Sequence, residues 1–314
     1  MSANDIKMLE TAFSDKRKPT FDLQWLPSYA CNYRCPYCIQ GHKRKLDKID
    51  ISLIEHYAEV VCGLSKRIKS LINPTINYDF SLIGGEVTIF PLKKMLFDKM
   101  DTSIFDNIRI VTNFSQSYDY YAELLSSYNN IRLSCSFHPS QAKWSEFFEK
   151  ACKLSEIVED KSSVKVILMK TRENSKQVGS WLHDCLREKL NHGLIAERYE
   201  DNTLAAKEVS SDEVENELKR KKCFIVTLKD GSKQKISRYE AIQSINTIGA
   251  KCFAHESKLR VTPDGMISSA CDVSCIRLPA ETITDEALKA LMRIPITCTH
   301  RCNFCNHTSK IVFS

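Results

Sequence analysis

Glycine is scarce, with nine in 314 residues. No three of them match G-x-G-x-x-G, and no G-x-x-x-x-G-K-[ST] occurs. The glycine cradles of dinucleotide-binding folds and P-loop NTPases are therefore missing. No run approaches the ~18 uncharged apolar residues that cross a bilayer. The opening MSANDIKMLETAFSDKRK is polar and lacks the apolar core of a secretory signal. Together these absences predict a cytoplasmic protein with no membrane partner. Basic charge is not concentrated either. The net charge is +6, and the short runs at His42–Lys45 and Lys219–Lys222 read as solvated faces, which argues against nucleic acid as a partner. What remains is an ordinary globular composition, 43% apolar and 27% charged. The chain is long enough for one large α/β domain and a smaller second one.

Cysteine is abundant, at 14 residues. With no export signal, metal or iron–sulfur ligation explains this better than disulfides. Cys31, Cys35 and Cys38 share the segment CNYRCPYC, and Cys252, Cys271, Cys275, Cys298, Cys302 and Cys305 crowd the C-terminal part. Cys62, Cys135, Cys152, Cys185 and Cys223 lie singly between them and read as small buried hydrophobes. In IRLSCSFH, alternation puts Leu133, Cys135 and Phe137 on one packed face and Ser134, Ser136 and His138 on the other.

Strand-like and helix-like segments alternate from residue 21 to about 200. Strands are expected at 21–26, 77–83, 107–112, 130–137, 163–169 and 193–198. Helices are expected near 51–66, 91–101, 116–128, 141–157 and 174–190. Alternating βα units predict a parallel sheet, and six strands are too few for a closed eight-stranded barrel. The expected fold class is α/β: a partial (β/α)6 TIM-like barrel over 21–205, after an extension at 1–20. A small α+β, cysteine-rich domain follows at 206–314. There the sequence signals a charged helical piece at 210–222, hairpins at Asp230-Gly231 and Pro263-Asp264-Gly265, and a short helix near 284–293.

C-x-x-x-C-x-x-C puts three thiolates on one short loop after the first strand. Three are too few to saturate a four-ligand structural site, so one metal position stays open for chemistry. The spacing alone also suits a zinc knuckle. The only Gly-Gly pair, in SLIGGEVTIF, places Gly84, Gly85 and Glu86 directly after the second strand. With these two motifs in this order, the sequence resembles the radical S-adenosylmethionine (radical SAM) superfamily, whose signature is C-x-x-x-C-x-aromatic-C; Tyr37 supplies the aromatic. The resemblance implies a [4Fe–4S] cluster on Cys31, Cys35 and Cys38. It implies S-adenosylmethionine (AdoMet) contacts at Tyr37 and at Gly84, Gly85 and Glu86. More loosely, it implies contacts at Asn113 and Ser136, which close later strands. His138 falls at the same edge. The catalytic residues toward substrate are not identified by the motifs.

The C-terminal cysteines resemble the SPASM and twitch extensions of that superfamily, which hold auxiliary [4Fe–4S] clusters. Six cysteines fall short of the full seven-cysteine pattern, so a twitch-like domain with one cluster fits better. The resemblance implies Cys252, Cys271, Cys302 and Cys305 as its ligands, with Cys275 and Cys298 as alternates; four cysteines including a C-x-x-C suit zinc as well. The implied activity is reductive cleavage of AdoMet to a 5′-deoxyadenosyl radical that takes hydrogen from a substrate. The expected partners are a peptide substrate and an electron donor such as flavodoxin or ferredoxin. A small-molecule dehydrogenase or epimerase is the first alternative, and a non-catalytic iron–sulfur or zinc protein is the second.

Overall fold

The computed structural model describes residues 5–12, 18–38, 49–171, 174, 176–196, 223–237, 241, 244–253, 256–269, 276–298 and 310–313. The chain divides into two compact units, both discontinuous: 1–24, 63–78 and 216–314 form one, and 25–62 with 79–215 form the other. The elements before residue 200 are β1 (Ile6–Ala12), β2 (Thr20–Trp25), α1 (Ile51–Leu71), β3 (Asn77–Leu82), β4 (Asn107–Thr112), α2 (Tyr118–Ser127), β5 (Ile131–Phe137), α3 (Trp144–Glu156), β6 (Val164–Lys170), α4 (Val178–Arg187) and β7 (Asn191–Ala196).

In the second unit, β3 to β7 lie side by side in chain order. Each neighbouring pair is parallel, with Leu82 beside Ile110, Thr112 beside Cys135, and Phe137 beside Leu168. Burial alternates strictly along β4, β5 and β6, whereas β3 is buried on both faces: on β5, Ile131, Leu133, Cys135 and Phe137 are buried while Arg132, Ser134 and Ser136 are not. Val164, Val166 and Leu168 do the same on β6. The buried face carries the helices. Phe137 meets Trp144, Phe147 and Trp181 at ring-centroid distances of 5.0, 5.1 and 4.9 Å. Aromatic surface of this size dominates core energetics.

All six expected strands form within two residues of their expected bounds; the tail of the last, at 197–198, lies outside the described residues. The helix expected at 91–101 does not form as such. The segment is a five-residue π turn, Lys93–Phe97, followed by a 3-10 turn, Thr102–Ile104. Asp101 accepts a hydrogen bond from the Ser103 N–H and so caps a new turn where the α-helix would have continued.

The first unit contains β8 (Cys223–Leu228), β9 (Lys233–Ser237), β10 (Lys251–Cys252), β11 (Lys258–Val261), β12 (Met266–Ser269), β13 (Arg277–Pro279), α5 (Asp285–Leu291), β14 (Ile296–Thr297) and β15 (Lys310–Val312). A six-stranded sheet runs β14-β10-β15-β1-β8-β9. The segment expected as a bare extension thus holds a strand, β1, which pairs antiparallel with both β8 and β15. Both expected hairpins are present, with Gly231 at φ +85° and Gly265 at φ +71°, backbone that favours glycine. The short helix appears as α5, whose first turn is capped by the Thr284 hydroxyl accepting from the Ala287 N–H. The charged piece at 210–222 lies outside the described residues.

Candidate functional site

The site lies in the second unit, where the C-terminal ends of β3, β4 and β5 meet the chain that leaves β2. That chain, from Trp25 to Cys38, is laid against the end of β3 by backbone bonds. The N–H groups of Ile83, Gly85 and Glu86 donate to the carbonyls of Trp25, Ser28 and Ala30 at 3.0, 3.0 and 2.8 Å. The two glycines permit this approach. A Cβ on Gly85 would sit 1.9 Å from the Ala30 carbonyl oxygen, and one on Gly84 would sit 2.6 Å from the Ser28 oxygen. Gly84 also has φ +142°. The backbone that comes this close to the two glycines is Ser28 to Ala30, directly before the first cysteine.

Glu86 is 1% exposed. Its Oε1 accepts from the Thr88 N–H (3.0 Å), the Thr88 hydroxyl (2.6 Å) and the Thr112 hydroxyl (2.8 Å), and its Oε2 accepts from the Asn113 N–H. Burial raises its pKa, and these four bonds pull the other way. The carboxylate therefore joins the ends of β3 and β4. Tyr121, fully buried, places its hydroxyl 3.0 Å from that of Thr112.

Asn113 carries the connection on to the cysteine loop. Its Nδ2 donates to Asn32 Oδ1 at 2.8 Å and lies 3.8 Å from Cys31 Sγ. The next residue, Phe114, has φ +63°, uncommon for a non-glycine residue. That turn is held from α3: Lys150 Nζ donates to the Phe114 and Gln116 carbonyls, both at 2.7 Å, and lies 4.5 Å from the Phe114 ring centroid. Burial lowers the Lys150 pKa.

Cys35 is buried, whereas Cys31 and Cys38 are half-buried. The Tyr33 N–H donates to Cys31 Sγ at 3.3 Å, and the Cys38 N–H donates to the Cys35 carbonyl at 3.2 Å. Burial pushes the Cys31 thiol up, the Tyr33 N–H opposes this, and the neighbouring Glu86, Cys35 and Cys38 add to the rise. Among the described residues no three Cys, His, Asp or Glu side chains converge into a formed metal site. The donor set itself fits an iron–sulfur cluster: three soft thiols on one short loop, with Cys35 and Cys38 near enough to raise the Cys31 thiol, and the stretch just before them, Ser28 to Ala30, packed on Gly84 and Gly85 where a Cβ would clash.

Tyr37 stacks on His138 with centroids 5.9 Å apart, and its hydroxyl lies 3.1 Å from Nδ1. Tyr33 meets the same ring edge-on at 6.0 Å. Burial lowers the His138 pKa to about 4, so the imidazole is neutral at pH 7. Gln141 Oε1 accepts from the Arg34 N–H at 3.1 Å, a second tie between the loop and the end of β5. Ser136 is half-buried on the sheet face opposite Phe137. The structure thus brings Cys31, Cys35, Cys38, Tyr37, Gly84, Gly85, Glu86 and Asn113 to one sheet edge. Asn32, Thr88, Ser115 and Lys150 were not singled out from the sequence. Glu86 followed two residues on by a threonine, a carboxylate suited to capping the next turn from the Thr88 N–H, is the one signal that could have pointed to any of them.

In the first unit, Cys252 and Cys298 are both buried in one apolar cluster with Ile6, Leu9, Phe224 and Ile311. Cys252 pairs with Ile296 and Ile311, and the Cys298 N–H donates to the Ala250 carbonyl. Cys271, Cys275, Cys302 and Cys305 lie outside the described residues.

No family model matches the chain, and no curated protein matches it. Solved structures do. The chain aligns with native anSMEcpe with bound AdoMet and a Kp18Cys peptide at TM-score 0.51 and 17% identity, covering 86% of this chain and 80% of that one. It aligns with Streptococcus suis SuiB bound to S-adenosylmethionine at TM-score 0.51 and 13% identity, covering 85% and 64%. Against SuiB bound to its precursor peptide SuiA the TM-score is 0.55 at 13% identity, covering 88% and 65%. The chain therefore shares the fold of these AdoMet-bound and peptide-bound proteins. No helix among the described residues is long and apolar enough to cross a membrane.

Proposed function

We propose that the protein is a radical SAM enzyme acting on a peptide. One observation carries the reading: the Cys31/Cys35/Cys38 loop is seated on Gly84 and Gly85 at the C-terminal edge of parallel strands, the edge at which (β/α) enzymes place their chemistry. Cys31, Cys35 and Cys38 would hold a [4Fe–4S] cluster with one iron left open. When bound, that cluster supplies the electron that cleaves AdoMet to methionine and a 5′-deoxyadenosyl radical, which takes a hydrogen atom from the substrate. The chain's residues bind and orient. Carbonyl oxygens of Gly84–Glu86 would accept from the AdoMet ammonium group, with the buried Glu86 side chain holding their direction. Tyr37 offers a ring face, and Asn113 and Ser136 lie on adjacent strand ends.

The peptide assignment draws support from the fold likeness to two enzymes whose structures hold peptides. The six strands β2 to β7 are read as a partial barrel over 21–205, and 206–314 as a twitch-like domain. Its auxiliary cluster would take Cys252, Cys271, Cys302 and Cys305, and a flavodoxin or ferredoxin would supply electrons.

Two [4Fe–4S] clusters require about eight irons per chain. Replacing Cys31, Cys35 and Cys38 together with Ala should leave about four after anaerobic reconstitution. Stoichiometric zinc with no iron in that variant would overturn the auxiliary cluster. Unchanged iron would overturn the N-terminal one.

A further inference from the structure

We propose that Asn113 is a positioning residue for the first cysteine thiolate, setting the reduction potential of the cluster that Cys31 would help hold. The inference rests on the radical SAM reading and goes beyond it, because there Asn113 is a contact to AdoMet.

The carboxamide of Asn113 is committed within the protein. The Ser115 N–H donates to its Oδ1 at 3.1 Å, which fixes the orientation of the amide, since only the oxygen can accept. Its Nδ2 then carries two hydrogens. One is donated to Asn32 Oδ1 at 2.8 Å, and the other faces Cys31 Sγ at 3.8 Å. Asn32 closes a ring by donating from its own Nδ2 to the Ser115 hydroxyl at 2.9 Å. The main chain of Asn113 is anchored in turn by its N–H donating to the buried Glu86 carboxylate. Residues more than 80 positions apart in sequence are thus joined by side-chain amides at the head of the cysteine loop.

Among the described residues, Cys31 Sγ therefore faces two donors, the Tyr33 N–H and Asn113 Nδ2. A positive N–H end directed at a ligating sulfur stabilises the electron-rich, reduced form, and hydrogen bonds to sulfur are among the levers that set cluster potentials. The Tyr33 bond comes from the loop's own backbone and is present whatever the side chain. The Asn113 bond depends on one residue brought from β4.

The test is an EPR-monitored redox titration of the anaerobically reconstituted full-length protein without AdoMet, following the signal that Cys31→Ala removes. Asn113→Ala and the near-isosteric Asn113→Asp should lower the midpoint potential, with about tenfold less reduced cluster at a fixed potential, or about 59 mV for a one-electron couple. Ser115→Ala opens the amide ring but keeps Nδ2 opposite Cys31, and should titrate as wild type. Wild-type potentials in both Asn113 variants, or an equal shift in Ser115→Ala, would overturn the proposal. If neither Asn113 variant loads iron while Ser115→Ala does, the positioning role stands; if Ser115→Ala also fails to load, it falls. A wild-type chain that loads no iron would overturn the radical SAM reading itself.

Discussion

Gly85 and Gly63 show how differently one residue type can be constrained. Gly63 lies in α1, and a Cβ there meets nothing within 4 Å, so Gly63→Ala should stabilise by about 0.5–1 kcal/mol through helix propensity. Gly85→Ala would force a Cβ to 1.9 Å from a backbone oxygen that cannot swing away. It should cost more than about 3 kcal/mol in urea unfolding, or lift the cysteine loop off its seat with loss of iron loading. A near-neutral Gly85→Ala that still loads iron would contradict the described seat. His138 bears on pH. Burial holds its folded pKa at about 4, below the ordinary value of 6.5. Between those values the unfolded chain binds the extra proton, so this contribution is complete above about pH 6.5 and is lost as pH falls toward 4. The loss reaches about 3 kcal/mol at most. His138→Gln should remove that part of the pH dependence of unfolding, and identical wild-type and variant profiles would show that the ring is not desolvated.

At the scale of elements, the turn after β4 depends on a neighbour. Phe114 sits at positive φ, and the ammonium of Lys150 on α3 spans the carbonyls on either side of the turn. Lys150→Met keeps the apolar stem and removes both charge-assisted bonds, with an expected cost of about 2 kcal/mol by chemical denaturation. A change below about 0.5 kcal/mol would mean that the turn holds without its clamp. The same scale shows what was legible in the sequence. Strands β2, β3 and β5 were readable because apolar and polar residues alternate along them, as in Leu133, Cys135 and Phe137. β1 was not. Its register against β8 shifts between Ile6 and Met8, so the buried residues Ile6 and Leu9 fall three apart and mimic a helical spacing. The segment 91–101 misled in the opposite way: Leu92, Met95, Leu96 and Phe97 are buried at helical spacing, yet the turn is a π turn of five residues. The cysteine loop and the Gly-Gly-Glu segment were legible as motifs. The partners that tie them together, Thr88, Asn32, Ser115 and Lys150, were not, because they meet only through the register of β3, β4 and β5 and the packing of α3.

At the scale of the whole molecule, the parallel sheet brings to one edge a thiol loop, a glycine cradle and an inward-turned carboxylate that none of the strands could assemble alone. In the first unit, Cys252 and Cys298 pack in a buried apolar cluster. Under the proposed function, the three-cysteine loop supports reductive cleavage of AdoMet. The most direct test is 5′-deoxyadenosine release from anaerobically reconstituted protein given dithionite and AdoMet. Release is expected from the wild type and none from Cys31→Ala, Cys35→Ala or Cys38→Ala. Undiminished release by a folded Cys35→Ala protein, or none by an iron-loaded wild type, would contradict it.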